Sequence, residues 1–185
     1  MIDKINNYLA RLQDTINNLD RAEIEKFIQI LIEKRKEGKQ IFIMGNGGSA
    51  STSSHFQCDF NKGLSYGKDE KFKFICLNDN IPSMLAYAND VSYENIFVEQ
   101  LKNYLSAGDL VVGISASGNS KNVLKAMDYA NNNGATTFSL TGFDGGELKK
   151  ISKYSINANV NNVQLSEDIH MIICHLIYNV LENMQ

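Results

Sequence analysis

The sequence has no apolar run approaching 18 residues, the length at which a membrane-spanning helix becomes possible. Its start, Met1-Ile2-Asp3-Lys4, lacks the basic-then-apolar form of a secretory leader. Positive charge is not in excess: 18 Lys and Arg stand against 21 Asp and Glu, a net charge of −3. That balance gives no reason to expect a nucleic acid or an anionic membrane as partner. There are three cysteines, Cys58, Cys76 and Cys174, an odd number in apolar patterns whose spacing fits no zinc motif. A reduced, cytoplasmic setting is the simplest expectation. The single proline, Pro82, follows Asn78-Asp79-Asn80 and suits the first turn of a helix. No low-complexity linker and no repeat divides the 185 residues, so one domain is expected over 1–185, including N-terminal helices over 1–37.

What is present is alternation. Short runs rich in Val, Ile and Phe occur at 40–44, 72–77, 110–115, 136–140 and 154–158. Helical patterns fall between them, at about 49–60, 82–88, 93–105, 119–132 and 145–152, and a last helix covers about 165–183. This order predicts an α/β fold, a three-layer sandwich with a parallel sheet between helices. Ahead of it, Ile5, Leu9, Leu12, Ile16 and Leu19 form a narrow helical seam, which packs either on another subunit or on its own domain. Asp20-Arg21-Ala22-Glu23 reads as a capping box for a second helix ending near Gly38.

Two strand ends carry the chemistry. Gly45-Asn46-Gly47-Gly48-Ser49-Ala50 follows the first strand, and Ser115-Ala116-Ser117-Gly118-Asn119-Ser120 follows the third. Each is a Gly/Ser-rich turn running into a helix, which aims backbone N–H groups and hydroxyls at an anion such as phosphate. The first loop also satisfies a loose dinucleotide fingerprint, with Asp79 as the ribose acid, but that acid lies about ten positions beyond the usual spacing of roughly twenty. Three hydroxyls in six residues at a strand end favour a phosphate cradle over a simple turn and cap. Lys121 and Lys125 follow on a helix, where a solvated role is expected.

His55 and Asp59 are four apart and share a helical face. His175 lies on the last helix, with Glu167 two turns earlier, Asp168 at i−7 and His170 pointing elsewhere. Such a set serves either as a metal site or as an acid–base pair.

On these stretches the chain resembles sugar isomerase (SIS) domain proteins, and among them the phosphoheptose (sedoheptulose-7-phosphate) isomerases. The resemblance rests on Gly45 to Phe56, Ala88-Asn89-Asp90, Gly113 to Val123, Leu140 to Leu148 and Glu167 to His175. It implies a five-stranded, flavodoxin-like parallel sheet and a homotetramer with active sites at subunit interfaces. The implied reaction interconverts sedoheptulose 7-phosphate and D-glycero-D-manno-heptose 7-phosphate through an enediol, for heptose and surface polysaccharide synthesis. Carried over by position, Asn46, Gly47 and Gly48 hold the sugar, with Ser49 and Ala116 in the same loops. Ser115, Ser117 and Ser120 take the phosphate, and Asn89-Asp90 line the site. His55, Asp59, Glu167 and His175 are the implied ligands of one zinc, or another divalent metal, per subunit. Asp59 is also the implied base and His175 the implied acid. Asp59 stands where the family has glutamate, and Glu167 where it has glutamine. Gln164 and Lys62-Gly63 also depart from the family pattern. A phosphosugar sensor or protein-binding SIS module, and an isomerase of another phosphosugar, are the competing readings.

Overall fold

The five apolar runs become five strands of one sheet. In the computed structural model, which describes residues 1–184, they are β1 (Ile41–Gly45), β2 (Phe74–Cys76), β3 (Leu110–Ser115), β4 (Thr136–Thr141) and β5 (Tyr154–Asn157). All pairs are parallel, in the order β2-β1-β3-β4-β5. Ile41 sits beside Phe74 on one side and Leu110 on the other. The strand β2 is shorter than its sequence run because the chain before it is pinned by side chains. Ser65 Oγ accepts from the Phe72 amide, and the Asn61 side chain accepts from the Phe74 amide and donates to its carbonyl.

The strands are buried on both faces, which is why their sequences read as continuous apolar runs rather than alternating ones. On one face Ile41, Ile43, Val112 and Phe138 meet α2 (Arg21–Lys36), α3 (Gly48–Cys58) and α8 (Val163–Asn183). Phe27 of α2 stacks on Phe138 with ring centroids 4.0 Å apart. On the other face Phe42, Met44 and Val111 meet α5 (Val98–Tyr104), α6 (Lys121–Asn132) and α7 (Gly146–Ile151). The helix α4 (Ile81–Asp90) opens at Asn80, whose side chain accepts from the Ser83 amide, with Pro82 in its first turn.

The N-terminal seam is divided. In α1 (Ile2–Asn17), Leu12 and Ile16 pack against the core and Leu19 beyond it is buried, whereas Ile5 and Leu9 are exposed. Tyr8 of α1 donates a hydrogen bond to Asp168 of α8. Only half of the capping box forms. Asp20 accepts from the amides of Ala22 and Glu23 at 2.9 and 3.3 Å, but the Glu23 Oε2 atom is buried without a partner.

One feature departs from the helical reading over 49–60. After Cys58 the helix α3 widens into a π-helical turn over Asp59–Gly63, closed by the Leu64 amide on the Asp59 carbonyl at 3.0 Å. The wide turn carries Phe60 into an aromatic group with Phe56, Phe72 and Phe74, at centroid distances of 4.7 to 5.6 Å. Such turns recur at functional sites.

The topology places the two Gly/Ser loops side by side. Neighbouring strands β1 and β3 send their chains to opposite faces, β1 into α3 and β3 into α6. Their carboxyl ends therefore diverge and open a crevice, the position at which open α/β sheets bind ligands.

Candidate functional site

The first wall of the crevice is the β1–α3 turn. Gly47, at φ +57°, caps α3, and the Asn78 side chain clamps Gly45 by accepting from its amide and donating to its carbonyl. Asn46 is fixed more firmly than the sequence suggests. Its amide exchanges two hydrogen bonds with Asn122, each 2.9 Å, and its Oδ1 also accepts from the Tyr93 hydroxyl at 2.8 Å. Asn122 and Tyr93 lie 76 and 47 residues away, so no local pattern could have singled them out.

The second wall is the β3–α6 turn. Ser115 Oγ and Ser120 Oγ are 3.0 Å apart. Ser120 is the N-cap residue of the 12-residue α6 but does not cap it with its own side chain, so its hydroxyl is engaged by Ser115 and not by the helix amides. Ser117 Oγ accepts from the Asn119 amide at 3.2 Å. Gly118, at φ +65°, is compulsory here, because a Cβ would fall 2.0 Å from the Gly145 carbonyl oxygen.

Between the walls lies a cavity of about 180 Å³, lined by Asn46, Ser49, Ser115, Ala116, Ser117, Ser120 and, from α8, Glu167. The Glu167 carboxylate stands over Gly48, whose absent side chain makes room for it. A Cβ there would meet Oε1 at 2.5 Å. A larger hollow of about 450 Å³ lies elsewhere, among Asp20, Glu23, Asp144 and Lys149, and no Gly/Ser loop opens into it. Lys121 is exposed and pairs with Glu94 at 3.1 Å, the solvated role expected of it.

The second part of the site is a cluster where α3 crosses α8. His55 Nε2 is 2.9 Å from His175 Nε2 and 3.2 Å from Asp59 Oδ2. The two rings meet edge to face at 5.0 Å. At 41% and 25% side-chain exposure, His55 and Asp59 remain open to a ligand. Cys174 completes the group: its sulfur and the ligand atoms of His55 and Asp59 all lie within 4.8 Å of one another. Burial pushes the Cys174 thiol pKa upward, and the negative charge of Asp59 adds to the shift. The sequence reading missed Cys174 because an apolar helical pattern hides a buried thiol. Its one signal is its place next to His175.

His175 lies outside that three-donor group, and so does Glu167. Eight residues of α-helix separate it from His175, a rise of about 12 Å, and its carboxylate belongs to the cavity. Asn89 and Asp90, in the last turn of α4, are exposed, bonded to each other at 2.8 Å, and do not line the cavity. His170 is buried, with Nε2 3.1 Å from the Thr141 carbonyl oxygen and Nδ1 unpartnered. Desolvation lowers its pKa to about 4. Asp168 is engaged by Tyr8. Asp79 accepts from Ser54 and Gln57 of α3, so the acid that a dinucleotide ribose would need is already occupied.

Comparison with known proteins agrees with this geometry. The SIS domain family model matches residues 3–142. Phosphoheptose isomerase from Helicobacter pylori is 34% identical over 194 residues, covering 98% of this chain and 96% of its own. The Aliarcobacter butzleri phosphoheptose isomerase is 32% identical, covering 97% and 95%. The solved structure of a phosphoheptose isomerase from Francisella tularensis superposes with a TM-score of 0.90 at 22% identity, covering 98% of each chain. With its parallel five-stranded sheet, its serine-lined crevice and these full-length relatives, the chain belongs to the phosphoheptose isomerase family of SIS-domain proteins.

Proposed function

We propose that this protein interconverts sedoheptulose 7-phosphate and D-glycero-D-manno-heptose 7-phosphate, supplying heptose for surface polysaccharide. The observation that carries the reading is the pairing of an uncharged hydroxyl cradle with a histidine–carboxylate cluster that shares α8 with it. Ser115, Ser117 and Ser120, with the N-terminus of α6, take the phosphate oxygens. Asn46, Ser49 and the backbone at Gly47, Gly48 and Ala116 hold the sugar, and Glu167 accepts from its hydroxyls. Asp59 removes the proton from C1 of the ketose while His175 protonates the oxygen on C2, giving the 1,2-enediol. Return of the carbon proton to C2, with loss of the proton on O1 to His175, then yields the aldehyde.

The residues fit a divalent cation. His55 places an imidazole nitrogen 2.9 Å from that of His175 and 3.2 Å from the Asp59 carboxylate, and His55 and Asp59 are partly open. Zinc held there would polarise the sugar oxygens and stabilise the charge of the enediolate. A homotetramer is part of the reading. Exposed apolar side chains of α1 (Ile2, Ile5, Leu9) and around α4 (Ile81, Leu85, Val91) call for cover, and an interface there would let Asn89 and Asp90 serve a neighbouring subunit's site. Three unpaired cysteines suit a cytoplasmic enzyme.

The test is to incubate the purified protein with sedoheptulose 7-phosphate in deuterated water and follow both deuterium entry next to the carbonyl and formation of the aldose. Exchange with another phosphoketose alone would move the assignment to a different sugar. Absence of exchange with every phosphoketose would leave a phosphosugar-binding module.

A further inference from the structure

We infer that Asn122 is a positioning residue of the crevice: it holds the Asn46 carboxamide with its oxygen turned into the protein and one N–H left for an oxygen of the bound sugar phosphate. The inference rests on reading the crevice as the sugar-phosphate site of the isomerase. Asn122 lies in the first turn of α6, is only 3% exposed, and belongs to the wall opposite Asn46.

A backbone amide settles which way both side chains face. The Val123 N–H can only donate, and it lies 3.0 Å from Asn122 Oδ1. The same oxygen accepts from Asn46 Nδ2, while Asn122 Nδ2 donates to Asn46 Oδ1, both at 2.9 Å. Reversing one amide would set oxygen against oxygen and nitrogen against nitrogen. Reversing both would turn Asn122 Nδ2 onto the Val123 donor. The Asn46 oxygen takes a second donor, the Tyr93 hydroxyl at 2.8 Å. A carboxamide oxygen accepts two hydrogen bonds and its nitrogen donates two. The Asn46 oxygen is thus fully used inside the protein, and one N–H remains for the cavity that Asn46 lines. Asn46 meets the ligand as a donor only, complementary to a phosphate or sugar oxygen. The pair also ties the turn after β1 to the helix whose N-cap is Ser120, so it joins the two walls. Without Asn122 the carboxamide keeps only its Tyr93 bond, and ordering it again on the ligand costs affinity.

The test asks whether Asn122 acts through Asn46. Binding of sedoheptulose 7-phosphate to the full-length protein is measured by calorimetry, with KM and kcat alongside. Asn122→Ala should raise Kd and KM about 2- to 12-fold, the range that one neutral hydrogen bond spans, and change kcat less. Asn46→Ala should raise them at least as much. The double variant should bind no more weakly than Asn46→Ala alone, because nothing is left for Asn122 to orient. Asn122→Ser keeps a hydroxyl near the Val123 amide but is too short to span to Asn46. It should behave as Asn122→Ala does, and it replaces that variant if the alanine protein does not fold. Met127→Ala, which hollows the core beneath the same helix, should lower the melting temperature and leave Kd unchanged. Wild-type Kd in both Asn122 variants, losses that multiply in the double variant, or an equal rise in Kd from Met127→Ala would each overturn the inference. Turnover with multiplying losses leaves the isomerase standing and this inference fallen. A shared loss in Kd without turnover on any phosphoketose does the reverse, and a wild-type protein that binds no sugar phosphate overturns both.

Discussion

The serine cradle and the histidine cluster are both served by α8, yet they are made from opposite materials. The cradle is preformed from turns: glycines at positive φ, clamped amides and hydroxyls that carry no charge. Its partners are fixed before any ligand arrives, by the Asn46–Asn122 pair and by the close approach of Gly118 to Gly145. The cluster is made of ionisable side chains from two packed helices, partly open and in contact with one another. The difference separates the two tasks of the enzyme. On the proposed reading, rigid dipoles bind a phosphate whose charge is constant through the reaction, and titratable groups stand where protons move.

The sharpest way to break the comparison is to remove a proton carrier while leaving the cradle whole. His175→Ala should lower the rate of deuterium exchange by about 10²- to 10⁴-fold and leave binding of the sugar phosphate nearly intact, as calorimetry with sedoheptulose 7-phosphate would report. An equal loss of binding would show that the two regions are not separable.

A third histidine on the same helix belongs to neither region and sharpens the contrast. His170 is buried neutral, its pKa lowered from 6.5 to about 4 by desolvation. The unfolded chain takes up a proton at higher pH than the folded one, so the stability held above pH 6.5 is lost as pH falls through the window toward 4. At about 1.4 kcal/mol per unit the loss is on the order of 3 kcal/mol. Denaturation curves at neutral pH and near the lower end of that window should show it. His170→Gln should flatten the dependence while retaining proton exchange in the folded protein.

On the cradle side, replacing Ser115 and Ser120 together by alanine should weaken substrate binding about tenfold or more, since a hydrogen bond to a charged group is worth roughly 1.5–3 kcal/mol. Circular dichroism should be unchanged. Wild-type affinity would mean that the phosphate lies elsewhere. The smallest effect is expected from Tyr93→Phe, which removes one of the three bonds that hold the Asn46 side chain. A neutral hydrogen bond contributes about 0.5–1.5 kcal/mol, and the exposure of Tyr93 puts this one at the low end, a rise of a few fold in KM.

Much of this was legible in the sequence, and the rest was not for physical reasons. Every strand and long helix announces itself through a local period, and the two Gly/Ser loops through residue types that only tight turns at helix starts require. The pairing of His55 with Asp59 is also local, four residues on one helix. What stayed hidden depends on contacts between distant segments. Asn122 and Tyr93 look like ordinary helix and surface residues until Asn46 is placed between them. Cys174 looks like one more apolar residue of α8 until α3 crosses above it. Glu167 stands where the resemblance implies a metal ligand, and that its carboxylate lines the serine cavity is visible only in the folded chain. The division of the α1 seam is likewise a tertiary matter: Leu12 and Ile16 reach the core and Ile5 and Leu9 do not.

The contact between Gly48 and Glu167 ties two positions 119 residues apart in the sequence into one choice. A methyl group at 48 would fall inside the carboxylate and swing it off its perch, so Gly48→Ala alters no charge and yet relocates one. What the methyl group meets is the far end of a flexible side chain, so the turn accepts it once the Glu167 carboxylate has moved aside. On the proposed reading of Glu167 as a sugar contact, the place of that contact is set from outside the groups that do the chemistry, by whether one hydrogen or one carbon stands at position 48.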